Sequence, residues 1–314
     1  MLFRSKGGSS RGARRSILIT TSSHHGGTFP MATTPTVRRL LLSNELKRLR
    51  EQAGIDPDKA ARHLGCRTSK ISRIELAQSS IQAGDVKLLS ELYGAETDHA
   101  EVLLDLARGQ NQRGRWAGYR AVYPDWFRLF VDLERDAAAL KSVEVEVIPG
   151  LLQTENYIQA LFENGGADDN LENRVLARKE RQSIFTRNDR PQLSFILSES
   201  CVRRNIGGPA VMREQLLHLV EIARLRNVQI QVLPFEARTY AGQVAYRFTL
   251  VNVPASGVSS PLDFVYVESH DDARYLDAHD AVSSYGALWG RLQAAALGPV
   301  ESREFLAEAA EQMG

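Results

Sequence analysis

The chain has 314 residues, 43% of them hydrophobic and 25% charged, with a formal net charge of +1. Those values suit a globular protein of about two domains and exclude a chain that binds polyanions through bulk charge alone. No apolar run approaches the roughly 18 residues a membrane span requires, and two cysteines, Cys66 and Cys201, are too few for a disulfide framework or a cysteine metal cluster.

Residues 1–36 read as a disordered basic arm. Arg4, Lys6, Arg11, Arg14 and Arg15 stand among Ser, Gly and Thr with no acid in the first thirty positions. The apolar "ILI" is too short for a secretory signal, and Met31 is a candidate start. A cytoplasmic, nucleoid-associated protein is expected.

Further on, Leu42, Leu46, Leu49 and Ala53 mark one helical stripe, ended by Gly54 in a left-handed turn. "DPDKAARHLG" restarts a helix, with Asp56 as its cap and Pro57 at the first helical position, where the missing N–H costs nothing. A third short helix covers about 68–75, a fourth "AGDVKLLSELYG" and a fifth "DHAEVLLDLAR". Five short helices make a compact all-α domain over 37–110.

The polar, aromatic stretch "GQNQRGRWAGYRAVYP" is the expected junction. Beyond it "PDWFRLFVDLERDAAAL" reads as a helix with Phe130, Leu133, Ala137 and Leu140 on one face. The alternation in "VEVEV" reads as a half-buried strand, halted by Pro149-Gly150. Helices follow at about 154–162 and 171–187, then strand "LSFILSES", helix "MREQLLHLVEIARL", and strands "VQIQVLPF", "AYRFTLVNV" and "DFVYVES". Helices at about 279–297 and 301–312 end the chain. About five strands mixed with helices imply an α+β (mixed α/β) domain over 111–314.

The functional signal lies in "AARHLGCRTSKISRIE". Ala61 is followed by Gly65 four residues later and Ile71 six after that, which is the spacing of a helix-turn-helix unit. A small residue at 61 lets the next helix cross closely, Gly65 takes the turn, and Ile71 packs into the angle. The outer face of the third helix can then enter the major groove. Arg67, Thr68, Ser69, Lys70 and Arg73, with Lys59 and Arg62 on the preceding helix, are the candidate DNA-binding residues: hydroxyls for base edges or phosphates, cations for phosphates or guanine. Locally, Arg38 to Glu75 holds ten basic residues against five acids, the balance expected of one nucleic-acid-binding domain.

The stretch "LKRLREQAGIDPDKAARHLGCRTSKISRIELAQSSIQAGDVKLLSELYG" resembles the Xre/Cro-C1 helix-turn-helix family, in its actinobacterial branch. The stretch "RWAGYRAVYPDWFRLFVDLERDAAALKSVEVEVIPGLLQTENYIQALF", with "VLPF" and "VYVES" downstream, is similar to the domain called DUF5753. "IPGLLQTENY" is the most specific piece. The resemblance implies a λ-repressor-like fold followed by that domain, in a transcriptional regulator of the WhiJ-like or antitoxin-like kind. It further implies a small neighbour-encoded partner of the DUF397 kind. The chain departs from the family's Gln-bearing helix starts: Asp56-Pro57-Asp58 and Arg67-Thr68 stand there, and Thr68 is the expected substitute cap.

Catalysis is not expected, and no cofactor is implied. Glu268, His270, Asp271, Asp272, Asp277, His279 and Asp280 cluster in sequence but read as an exposed strand-to-helix region. There is no Gly-x-Ser-x-Gly elbow, "NIGGPAV" lacks the Lys-Ser/Thr of a phosphate loop, and Cys201 reads as a buried apolar residue. Trp116, Tyr119, Tyr123, Trp126, Phe127 and Phe130 crowd the junction, either as an inter-domain core or as a pocket for a partner or ligand. Double-stranded DNA is the expected partner, bound by a homodimer, since one recognition helix covers only a half-site. An antitoxin-like interaction module that binds DNA mainly for autoregulation is the alternative.

Overall fold

The computed structural model describes residues 34–110, 122–163, 170–238 and 247–313. Most of the basic arm, the candidate start at Met31, and the junction residues Trp116 and Tyr119 lie outside them. Among the described residues no helix is long and apolar enough to cross a membrane.

Five helices form the first domain: α1 (Pro35–Gln52), α2 (Pro57–His63), α3 (Thr68–Glu75), α4 (Ala83–Tyr93) and α5 (Thr97–Gly109). The first helix starts earlier than its leucine stripe, because Thr34 caps it, Pro35 opens it, and Val37 and Leu41 are buried along with Leu42 and Leu46. Residues 34–36 thus belong to the helix start. Asp56 caps α2 as expected, its Oδ1 accepting the Lys59 N–H at 2.6 Å, and Gly54 has φ +64° where α1 ends. Leu42, Leu46, Ala60, Ile71, Val86, Leu89 and Leu103 meet in one core.

The second domain opens with α6 (Asp125–Asp136) and β1 (Ala139–Glu144), followed by α7 (Glu155–Glu163), α8 (Leu171–Gln182) and β2 (Gln192–Ser198). The chain continues through α9 (Glu199–Arg203), α10 (Pro209–Ile222), β3 (Val228–Leu233), β4 (Phe248–Val253), β5 (Leu262–Glu268) and β6 (Ala273–Leu276). It ends in α11 (His279–Ala295) and α12 (Pro299–Glu311). One six-stranded mixed sheet runs β3-β2-β1-β4-β5-β6. The first three strands are parallel, joined by helical crossovers, and β4 to β6 add antiparallel neighbours. Helix α11 covers one face over Val143, Ile196, Phe248 and Val265. On the other face, Leu140, Phe195, Ile230 and Tyr266 meet a cluster that runs without a break into the first domain.

Three sequence expectations change. Helix α6 stops at Asp136, so Ala137 and Leu140 are not on it. The Ala138 N–H donates to the Asn252 carbonyl and its carbonyl accepts from Gln192, both at 2.9 Å, so sheet pairing overrides the helix preference of "DAAAL". The strand lies at 139–144 rather than at "VEVEV", and Glu144, expected on a solvated face, is buried. A sixth strand, β6, occupies part of the region read as exposed connection; the Asp272 carboxylate accepts from the Ala273 N–H at 2.8 Å as the strand begins.

The two domains also meet at Glu45 of α1, which is 2% exposed. Its carboxylate accepts the Ser259 hydroxyl at 2.8 Å, from the loop between β4 and β5, and Arg48 at 3.1 Å; His99 Nε2 lies 3.0 Å away. Burial alone would raise its pKa, but the hydrogen bonds from Arg48 and Ser259, with the Arg48 and His99 charges, hold it below the ordinary value of 4.5. A depressed carboxylate contributes stability above its unfolded-state pKa and loses it as pH falls through the folded-state value. Urea denaturation between about pH 6 and pH 3 is expected to show Glu45→Gln with a shallower acid loss than the parent. At neutral pH the same variant is less stable by about 1–3 kcal/mol.

Candidate nucleic-acid interface

The helix-turn-helix unit is built from α2, a four-residue turn and α3. Ala60 and Ala61 of α2 face inward with Ile71 and Ile74 of α3, all at most 2% exposed. Gly65 has φ +61°, and a Cβ there would meet nothing within 4 Å. Its role is therefore conformational: an L side chain would fit in space but not in that backbone region. The Cys66 N–H donates to the Ala61 carbonyl at 2.9 Å, tying the turn to the end of α2.

At its C-terminal end α3 is clamped by an ion pair. Arg50 of α1 forks onto Glu75, Nε to Oε1 at 2.6 Å and Nη2 to Oε2 at 2.9 Å, while its Nη1 donates to the Ile55 carbonyl at 2.9 Å. Both side chains are nearly buried, at 9% and 10% exposed. The Glu75 hydrogen bond raises the Arg50 pKa further above its already high value. A two-pronged bond of this kind fixes rotation as well as distance.

The N-terminal end is held differently from the expectation. Arg67, not Thr68, occupies the cap position, with no side-chain cap bond. The Thr68 hydroxyl instead donates to Asp58 of α2. Thr68 therefore joins the two helices and is only partly exposed.

Of the expected contact residues, Lys59, Arg62, Arg67, Ser69 and Arg73 are exposed, as is Ser72. Among the described residues none of Lys59, Arg62, Arg67 and Arg73 forms an ion pair. Lys70 differs: its Nζ pairs with Asp85 of α4 at 2.7 Å. Three more cations of the basic lobe are also engaged, Arg38 with Asp105, Arg48 with Glu45 and Arg50 with Glu75. Counting charges along the chain thus overstates the free positive surface, which keeps Lys59, Arg62, Arg67 and Arg73 of the helix-turn-helix unit together with the exposed Lys47 of α1. Neither the Arg50–Glu75 fork nor the Lys70–Asp85 pair was foreseen, because each joins residues 15 or 25 positions apart.

The architecture agrees with sequence families. Residues 41–103 match a family described as a helix-turn-helix domain, and residues 127–308 match the domain of unknown function DUF5753. The second match covers more than half of the chain. The chain belongs to the DUF5753 family. No curated protein and no solved structure matches it. The helix-turn-helix match contains every candidate contact residue, and the DUF5753 match runs from within α6 into α12.

Elsewhere in the DUF5753 domain, among the described residues no group of three or more His, Cys, Asp or Glu side chains could hold a metal ion. In the sequence cluster at 268–280, Glu268 is engaged by Arg247 and by the Tyr266 hydroxyl. Cys201 is fully buried, and burial with the nearby Glu144 and Glu146 charges pushes its thiol well above the ordinary range.

Removing Glu75 leaves the nearly buried Arg50 charge with only the exposed Glu51 carboxylate, 3.5 Å away, as an anionic partner. Glu75→Ala is expected to cost about 3–5 kcal/mol in chemical denaturation. The double substitution Arg50→Met with Glu75→Leu costs far less, since it removes both charges together.

Proposed function

We propose that this protein is a sequence-specific transcriptional regulator that lays α3 in the major groove, and whose DUF5753 domain holds a partner protein or a small ligand. One observation carries the reading: the inner face of α3 is sealed by Ile71 and Ile74, while Ser69, Ser72 and Arg73 stand exposed on its outer face, flanked by the unpaired Lys59, Arg62 and Arg67. Such a helix is committed to the protein on one side and uncompensated in charge on the other.

In this reading Ser69 and Arg73 reach base edges, Arg73 with the fork that suits guanine. Lys59, Arg62 and Arg67 contact phosphates and set register. Thr68 positions the helix through Asp58. Lys70 must exchange its bond with Asp85 for a phosphate, so its net contribution is smaller than that of the unpaired cations. A homodimer doubles these contacts over two half-sites, and a small neighbour-encoded protein is the partner class the family resemblance implies.

Genome-wide footprinting supplies the operator, and titration of variants on it tests the roles. Arg73→Ala is expected to weaken binding by about 1–3 kcal/mol and relax specificity at one position. Arg62→Ala and Arg67→Ala weaken all sequences alike and each lower the salt slope by about one. Lys70→Ala has a smaller effect than either. Unchanged affinity in the Arg73 variant rejects the placement of α3.

A further inference from the structure

A cavity of about 340 Å³ lies in the DUF5753 domain between α6, α8, the segment after β1 and the sheet. Its size falls in the range of small-molecule sites. The apolar part of its wall comes from Phe127 and Phe130 of α6, Leu161 and Phe162 of α7, and Phe195 and Tyr266 of the sheet. Phe130 stacks on Tyr266 with ring centroids 4.3 Å apart.

The polar part is unevenly charged. Arg181 of α8 is neutralised by Glu134, with two hydrogen bonds of 2.7 and 2.8 Å, and its guanidinium lies 5.0 Å from the centroid of the Phe127 ring. Ser142, Glu144 and Thr249 form a polar floor on the sheet: the Ser142 hydroxyl donates to Glu144 at 2.7 Å and lies 2.9 Å from the Thr249 hydroxyl. Glu144 and Glu268 share a single cation, Arg247, at 2.7 and 3.0 Å. Arg247, 42% exposed, stands where the cavity meets solvent.

Arg178 is the exception. It lies one turn before Arg181 on α8 and lines the same cavity, yet among the described residues it has no ion pair. It makes one hydrogen bond, from Nη1 to the Gln153 Oε1 at 2.7 Å. Its Nε is buried with no partner. Burial, and then the neighbouring Arg181 charge, bring its pKa down to about 10, so it stays charged at neutral pH.

The surrounding structure is arranged to hold this cation. A Cβ on Gly150 would overlap the Arg178 guanidinium, so the glycine is what admits it. Gln182 donates to the carbonyls of Gly150 and Gln153 at 3.2 and 2.7 Å, and Gln153 donates to the Ile148 carbonyl at 2.6 Å. Gln215 clamps Leu152 and Thr154 at 2.7 Å each. "IPGLLQTENY" is therefore the rigid wall against which Arg178 is seated.

We propose that this cavity binds a small aromatic carboxylic acid, with its carboxylate on Arg178, its ring among Phe130, Phe162 and Phe195, and a hydroxyl or amine reaching the polar floor at Ser142, Glu144 and Thr249. A guanidinium with one of five donors used is a ready fork for a carboxylate. The acid excess at the floor orients the ligand by repelling its anionic end and accepting from its donor. The inference gives a ligand class to the small-molecule branch of the regulatory reading. Binding itself needs no DNA, so its failure and that of the α3 assignment are separable.

The test uses the full chain with 4-hydroxybenzoate and indole-3-acetate, and with 4-hydroxybenzamide and indole-3-acetamide as neutral counterparts, in titration calorimetry and thermal shift. The acids are expected to bind with Kd of about 1 mM or tighter and to raise the melting temperature, and each amide to bind at least about tenfold more weakly. Arg178→Gln is expected to abolish the preference for acid over amide. In the unliganded chain it is no less stable than the parent, because it removes an unpaired cation; this doubles as the check that it folds. Ser142→Ala is a second, milder variant, expected to weaken 4-hydroxybenzoate more than indole-3-acetate. Failure of both acids to bind, equal binding of acids and amides, or an undiminished preference in Arg178→Gln overturns the proposal.

Discussion

Helix α6 is the element on which both domains depend. From Trp126 to Asp136 every residue of it is buried or half-buried, so the helix is packed against both domains rather than lying free on a surface. One face sends Phe127, Phe130 and Glu134 to the cavity. Another borders the cleft formed with Leu40 of α1 and Leu76 and Ala77 just past α3. At its end the Asp136 carboxylate accepts both the Thr34 N–H at 2.9 Å and the Thr34 hydroxyl at 2.7 Å, and Thr34 in turn caps α1. A helix so confined cannot shift against one neighbour without disturbing the other, because close-packed interiors move between discrete packings rather than deforming smoothly.

Two buried arginine–glutamate forks stand at matching places in this frame. Arg50–Glu75 orients the recognition helix and Arg181–Glu134 locks α8 to α6. Such pairs add little net stability, since desolvation offsets much of their attraction. Their value lies in geometry: a planar fork accepts a carboxylate in few orientations. The contribution of these residues is the angle at which a helix is presented.

The legible and illegible parts of the chain divide along sequence distance. The helix-turn-helix unit could be read because its determinants are local: the leucine stripe of α1, Asp56-Pro57 at the start of α2, Gly54 and Gly65 with positive φ, and Ile71 at its interval. All five helices of that domain are where the pattern puts them, apart from the early start of α1. In the second domain most strands were legible from alternation, but the end of α6 was not. "DAAAL" is a good helix sequence, and only the pairing of Ala138 with Asn252 and Gln192, over 50 residues away along the chain, makes it enter the sheet. Glu144 misled for a related reason. Alternation tells which residues share a face, and says nothing about whether that face meets water or a cavity. The same limit hid the partners of Lys70 and Arg50.

The two places where the protein leaves positive charge uncompensated differ in environment but not in logic. On α2 and α3 the free guanidinium and ammonium groups are exposed, so leaving them unpaired costs little and an approaching polyanion gains counterion release. At Arg178 the charge is seated inside, where an unsatisfied donor is expensive, and where Glu134 could have served it as it serves Arg181 three residues on. The fold instead gives the hydrogen bonds of both Glu134 oxygens to Arg181 and leaves space for Arg178 beside a glycine. Packing alone would favour an apolar side chain at that position, since Phe162 and Leu151 line the same cavity. The cation is intelligible as half of an ion pair whose other half arrives from outside the chain.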